Sequence, residues 1–117
     1  MKKGDILWGR KDSNAVHPIV YLWDRDQNFF IGAMLTKSKD HNNILMAETH
    51  FKKEDQSGGK YEFLYNNTYL VNAKLIKRGE WNPFRKIGEL TDEGVEFIES
   101  KINDKNPIFW EDYLMGH

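Results

Sequence analysis

The chain contains no cysteine. That excludes disulfide stapling, a thiolate nucleophile and any Cys-ligated zinc or iron–sulfur centre, and it fits a reducing compartment. No apolar run is long enough to cross a bilayer or to act as a secretory signal, so a cytoplasmic protein with no membrane partner is expected. Charge of one sign is also lacking: the net value is -1 and the pI about 6.4, which argues against a protein that coats nucleic acid non-specifically. The histidines at 17, 41, 50 and 117 show none of the paired spacings of metal ligands, so no metal site is expected. Gly58-Gly59 follows no buried strand and lacks the Lys-Ser/Thr of a phosphate loop, no serine-hydrolase elbow is present, and no cofactor is expected.

What is present is enough for one domain, residues 1–117, with a real core. Aromatic residues make up 14% of the chain, more than a minimal core needs, so some should lie on faces that meet a partner or ligand. The near-zero net charge hides an asymmetry. Lys74, Lys77, Arg78, Arg85 and Lys86 face a single acid, Glu80, within 74–86, whereas residues 89–112 carry eight acids against two lysines. Such a division suits an anionic ligand met on one face.

Read in order, Gly4 to Gly9 is a short strand, and the polar stretch Arg10 to Val16 is a surface loop that delivers the chain to His17. Pro18 restricts His17 to extended geometry and starts a second strand. Ile19 to Trp23 lacks polar alternation, so both of its faces should be covered. Asp24 to Asn28 is a hairpin connection, and Phe29 to Leu35 a third strand in which Gly32 marks a bend or bulge. Thr36 to Asn43 is the most polar loop. Ile44 to Phe51 and Tyr61 to Tyr65 read as extended, the latter with three aromatics on one face. Thr68 to Val71 and Ala73 to Lys77 are further short strands, and Arg78 to Lys86 is a loop. Thr91 caps a helix over about 91–103, with Asp92 and Glu93 complementing its dipole and Val95, Ile98 and Ile102 on one face. An aromatic segment, 104–117, follows. Strands first and a helix last predict a mainly β chain with α: a small antiparallel β-barrel closed by a C-terminal helix.

His17 is the sharpest candidate for chemistry, since an imidazole near neutral pH can take or give a proton. Thr36 opens a loop with Lys37, Ser38 and Lys39 that offers hydroxyls, ammonium groups and backbone amides to a phosphate. His50, after Thr49, reads as a half-buried, hydrogen-bonded histidine. Asp24 and Asp26 read as turn formers.

Several short stretches, taken together, resemble the PemK/MazF family of toxin endoribonucleases. Gly4-Asp5-Ile6 is similar to that family's opening strand, His17-Pro18-Ile19-Val20 to its Arg-Pro-Val-Val step, and Ala33-Met34-Leu35-Thr36 to its third strand, which ends in a functional Thr. Thr49-His50 resembles a Thr-His pair of some members, and Thr68 to Lys77 the strand pair after it. Lys86-Ile87-Gly88-Glu89-Leu90-Thr91-Asp92-Glu93 is the most specific match, to a Lys-Ile-Gly-x-Leu-Ser-Asp-Glu run that opens the helix. These matches are colinear over most of residues 3–103. The resemblance implies an SH3-like barrel, a homodimer, a small antitoxin partner and metal-independent cleavage of single-stranded RNA. It aligns His17 and Thr36 with the family's two catalytic positions; in an RNA-cleaving toxin His50 would then be a further catalytic partner, and Lys37, Ser38, Lys39, Lys77 and Arg78 would bind the RNA phosphates. The chain departs from the family at His17, which stands at an Arg position, and in a shorter preceding loop. An imidazole can move protons but lacks the bidentate hold of a guanidinium on phosphate. Cleavage, a non-catalytic binding module on the same barrel and a gyrase poison of the related CcdB type therefore stand as alternatives.

Overall fold

The computed structural model describes residues 1–9, 17–78 and 84–116. Within them the elements run β1 (Asp5–Gly9), β2 (Ile19–Asp24), β3 (Phe29–Thr36), β4 (Ile44–Leu45), a 3-10 turn (Glu48–His50), β5 (Tyr69–Leu70), β6 (Leu75–Arg78), β7 (Phe84–Glu89), α1 (Asp92–Ile102), β8 (Ile108–Phe109) and α2 (Trp110–Met115). The sheet follows the order β4-β5-β3-β2-β1-β7, with β6 also paired to β3 and β8 added to β6. The β6–β8 pair is parallel and the other pairs are antiparallel. The mainly antiparallel β chain expected from the sequence is therefore present, but its path ends at β4 on one side and β7 on the other, which makes it an open sheet. No helix among the described residues is long and apolar enough to cross a membrane.

The unbroken apolar run of β2 has a direct explanation. Ile6, Val20, Leu22, Ile31, Ala33 and Leu35 point to one face, where they join Ile98 and Ile102 of α1 in a buried cluster. Their sequence neighbours Leu7, Ile19, Tyr21, Phe30 and Met34 point to the other face and pack with Leu75 and Tyr113 of α2. A strand covered on both faces needs no polar alternation. The two covers are a helix on one side and the aromatic C-terminal segment on the other, so residues 108–115 roof a second core that Ile108 ties to the sheet by donating its N–H to the Lys74 carbonyl at 2.9 Å.

Gly32 lies at the irregularity foreseen for it. The β2–β3 register shifts between Tyr21 and Trp23, opposite Gly32 and Ile31, so Leu22 is the extra residue, buried at the bend. A β-carbon on Gly32 would come within 2.8 Å of the Val20 carbonyl oxygen, which explains the glycine.

Three expectations are corrected. Tyr61 to Tyr65 alternates inward and outward as a strand would but forms no ladder strand. It is held by single backbone bonds, Phe63 N–H to the Ile87 carbonyl at 2.8 Å and Tyr61 N–H to the Lys53 carbonyl at 3.0 Å, and by side chains: Phe63 and Tyr65 pack on Phe51 with centroids 5.3 and 5.5 Å apart, and the Tyr65 hydroxyl donates to the Met46 carbonyl at 2.6 Å. Ile44 to Phe51 is extended at β4, at Ala47 and at Phe51, which bridges to Leu90, and is interrupted between them by the 3-10 turn. The expected loop 78–86 gives way to a strand from Phe84, because β7 pairs along the whole of β1.

At the start of α1, Thr91 Oγ1 accepts from the Gly94 N–H at 3.1 Å and donates to the Thr49 carbonyl at 2.8 Å. The cap therefore holds the helix and fixes it to the 3-10 turn at once. Beneath it, Glu89 accepts from Lys52 (2.7 Å), the Tyr61 hydroxyl (2.9 Å) and Lys86 (3.3 Å), and Lys86 also reaches Asp5 at 3.1 Å. This ionic cluster joins β1, β7 and the irregular 52–61 stretch, where backbone pairing is sparse.

Candidate functional site

The β2–β3 register builds the site. Ile19 faces Met34 and Val20 faces Ala33, and the Leu35 N–H donates to the Pro18 carbonyl at 3.0 Å. Continued toward Pro18 and Leu35, the same register brings His17 and Thr36 to one end of the hairpin, where both line the same cleft. Pro18 helps by holding His17 extended. Two residues nineteen positions apart in the sequence are thus brought to one cleft by an ordinary antiparallel register.

His17 is half-buried. Burial lowers its pKa below the ordinary imidazole value, a hydrogen bond with the Leu35 backbone pulls the other way, and the nearby Lys77 charge lowers it again. Burial prevails, so the neutral ring, which keeps one nitrogen able to accept a proton, is the favoured form. Thr36 is nearly buried, at 9% exposure, and its Oγ1 accepts from the Ser38 N–H at 3.1 Å. This local turn holds the hydroxyl still and turns the loop so that Lys37 and Ser38 line the same depression.

The depression is a cleft of about 640 Å³, within the range of small-molecule sites, and His17, Thr36, Lys37 and Ser38 form one side of it. Thr68, Trp8 and Phe63 contribute to its walls, and Arg85 stands among them from β7. The Arg85 guanidinium makes a two-point ion pair with Glu62, one of whose contacts is Nη2 to Oε2 at 3.2 Å. Both side chains are largely exposed. A phosphate entering here would meet an imidazole, three hydroxyls, one ammonium and a guanidinium paired with an exposed carboxylate.

The remaining candidates separate. His50 lines neither this cleft nor a smaller one beside it, which is bounded by Met34, Asn43 and Trp110. It is buried under α1, where its Nδ1 accepts from the Ala47 N–H at 2.9 Å, its Nε2 lies 3.6 Å from Glu93 and its ring packs on Phe97 with centroids 4.4 Å apart. Lys39 is exposed and lines neither cleft. Lys77 is 2% exposed in β6 and bears on His17 through its charge. Arg78 pairs with Phe29 in the ladder, and its side chain, like the loop 10–16 and His117, lies outside the described residues. No group of three His, Cys, Asp or Glu residues that could hold a metal ion occurs among the described residues.

Arg85, Trp8, Phe63 and Thr68 were not singled out by their sequence. Only Arg85 carried a signal, as one of the basic residues in 74–86, and its place at the cleft depends on the β1–β7 pairing. Comparison with family models, with curated proteins and with solved structures finds no match for this chain.

Proposed function

We propose that this chain is an RNA-cleaving toxin of the PemK/MazF type, acting on single-stranded RNA without a metal ion. The observation that carries the reading is that His17 and Thr36 line one cleft together with Lys37, Ser38 and Arg85. In the proposed reaction the ribose 2′-hydroxyl attacks the adjacent phosphorus, the bond to the 5′-oxygen breaks, and a 2′,3′-cyclic phosphate and a 5′-hydroxyl remain. Neutral His17 takes the proton of the attacking hydroxyl, and the imidazolium so formed supplies the proton that the leaving oxygen needs. Thr36, Ser38 and Lys37 hold the non-bridging oxygens, and Arg85, once it exchanges Glu62 for phosphate, supplies the charge that an imidazole cannot.

The same reading takes the open sheet, together with the irregular 51–65 stretch along β7, as an SH3-like barrel. It makes the active species a cytoplasmic homodimer and gives it a small antitoxin protein that covers the RNA cleft. His50 acts on this account by holding the 3-10 turn against α1, and Lys77 by keeping His17 neutral.

A binding module on the same fold is the second reading, favoured by one observation: Arg85 is already engaged by Glu62. Induction in bacterial cells separates the readings. Growth arrest with shortened transcripts, lost in His17→Ala, is the expected result. Arrest with intact transcripts points to a gyrase poison, and no arrest to the binding module.

A further inference from the structure

A second cleft, of about 270 Å³, opens on the other side of His17, Thr36 and Ser38, between the 36–43 loop and α2. We propose that it is a nucleobase subsite, which takes one base carrying an exocyclic amine from a single strand of RNA whose phosphate lies at His17 and Thr36. The proposal rests on the reading that this face binds RNA.

Three observations carry it. The saddle of His17, Thr36 and Ser38 belongs to both clefts, so a phosphate seated on it places an adjoining nucleotide in the smaller one. The chemistry of the two clefts differs: the larger has Lys37 and Arg85, whereas the smaller has no lysine or arginine among its lining residues, so it is unsuited to a second phosphate. Its volume is below that of drug-sized pockets and suits a single flat ring system.

Its walls match a base in kind. Trp110 is partly exposed and stacks on Tyr113 with centroids 5.2 Å apart and planes 16° from parallel. A fixed aromatic pair of this sort offers a stacking platform, the usual device for gripping unpaired bases. Asn43 supplies the edge contact. Its Nδ2 donates to the Ser38 carbonyl at 3.0 Å, which fixes the amide, and its Oδ1 is left buried with no hydrogen-bond partner. Such an acceptor costs stability unless something donates to it. An exocyclic amine projecting from the edge of a base does so, whereas the only donor on the uracil edge, its N3–H, is recessed between two carbonyl oxygens that the Asn43 oxygen would repel.

The test uses the full chain and trinucleotides that lack the central 2′-hydroxyl, so that binding is read whether or not the protein cuts RNA. Titration followed by protein NMR should show central cytosine or adenine bound about tenfold more tightly than central uracil. Trp110→Leu should lower the affinity about tenfold, Trp110→Phe should restore most of it, and Asn43→Ala should abolish the preference over uracil. Equal affinity for all bases, or affinity unchanged in Trp110→Leu and Asn43→Ala alike, overturns the subsite. Base-selective binding without cleavage of any RNA leaves the subsite standing and removes the nuclease reading. Cleavage without base-selective binding does the reverse.

Discussion

Gly94, in the first turn of α1, lies so close to His50 that a β-carbon added to it would sit 2.2 Å from the His50 carbonyl oxygen. That carbonyl also accepts from the Thr91 N–H at 3.0 Å, so neither backbone can move without breaking the cap. Glycine is a poor helix former, and here the close approach explains it. Gly94→Ala is therefore expected to destabilise the fold by about 2–3 kcal/mol, as overpacking against backbone does, despite alanine's better helix propensity. Urea denaturation checks this; an unchanged or raised midpoint contradicts it.

The Glu89 cluster predicts a pH dependence. Burial alone would raise the Glu89 pKa, but the hydrogen bonds from Lys52, Tyr61 and Lys86 prevail and bring it down to about 2. A carboxylate whose folded pKa lies below its unfolded value adds stability that is complete above the unfolded value and is lost as pH falls through the folded one. Stability should therefore decline between about pH 5 and pH 2 in the wild type and decline less in Glu89→Gln. Because Lys52 and Lys86 are each more than a third exposed, the loss in Glu89→Gln at pH 7 is expected to be about 1–3 kcal/mol, below that of a fully buried pair. Denaturation midpoints at several pH values measure both effects.

His17 has the opposite chemistry and a related sign. Its folded pKa lies below the ordinary value, burial being the largest cause. The neutral ring is the favoured form in the folded state, so its contribution to stability is present above pH 6.5 and is lost as pH falls through the folded pKa. If the neutral ring is the base, the acid limb of the cleavage rate lies below pH 6.5 and moves toward the ordinary imidazole value in Lys77→Met, where the neighbouring positive charge is gone. A pH–rate profile that ignores Lys77 contradicts the proposed role of that lysine.

At the cleft, Arg85 and Glu62 predict paired effects of opposite direction. Glu62→Gln frees the guanidinium and should tighten binding of single-stranded RNA and steepen its salt dependence by roughly 0.7 in the logarithmic slope, while Arg85→Ala should weaken binding and flatten the slope by a similar amount. Both side chains are exposed, so neither change should affect stability measurably. Filter-binding at several salt concentrations reads the slopes.

Much of the fold was legible in local pattern. The cap at Thr91, the glycine at the β2–β3 irregularity and the apolar run of β2 each carry a sequence signal of short range. What was not legible depended on pairing across long separations. The Tyr61–Tyr65 alternation records which side chains turn inward, and nothing in it tells that Phe63 and Tyr65 would be held by Phe51, Met46 and a single backbone bond to Ile87 and not by a full ladder. The strand at Phe84 exists because β1 is there to receive it. The site shows the same division: His17 and Thr36 stand out by residue type, Arg85 joins them only through the β1–β7 pair, and Trp110 reaches the saddle only because β8 docks in parallel on β6.

The central claim, that His17 across from Thr36 cleaves RNA, is tested most directly with purified protein and a defined unstructured RNA in excess EDTA. Fragments ending in a 2′,3′-cyclic phosphate and a 5′-hydroxyl are expected, with the rate reduced at least about a hundredfold in His17→Ala. RNA left intact by the wild-type protein, or cut equally well by His17→Ala, contradicts it.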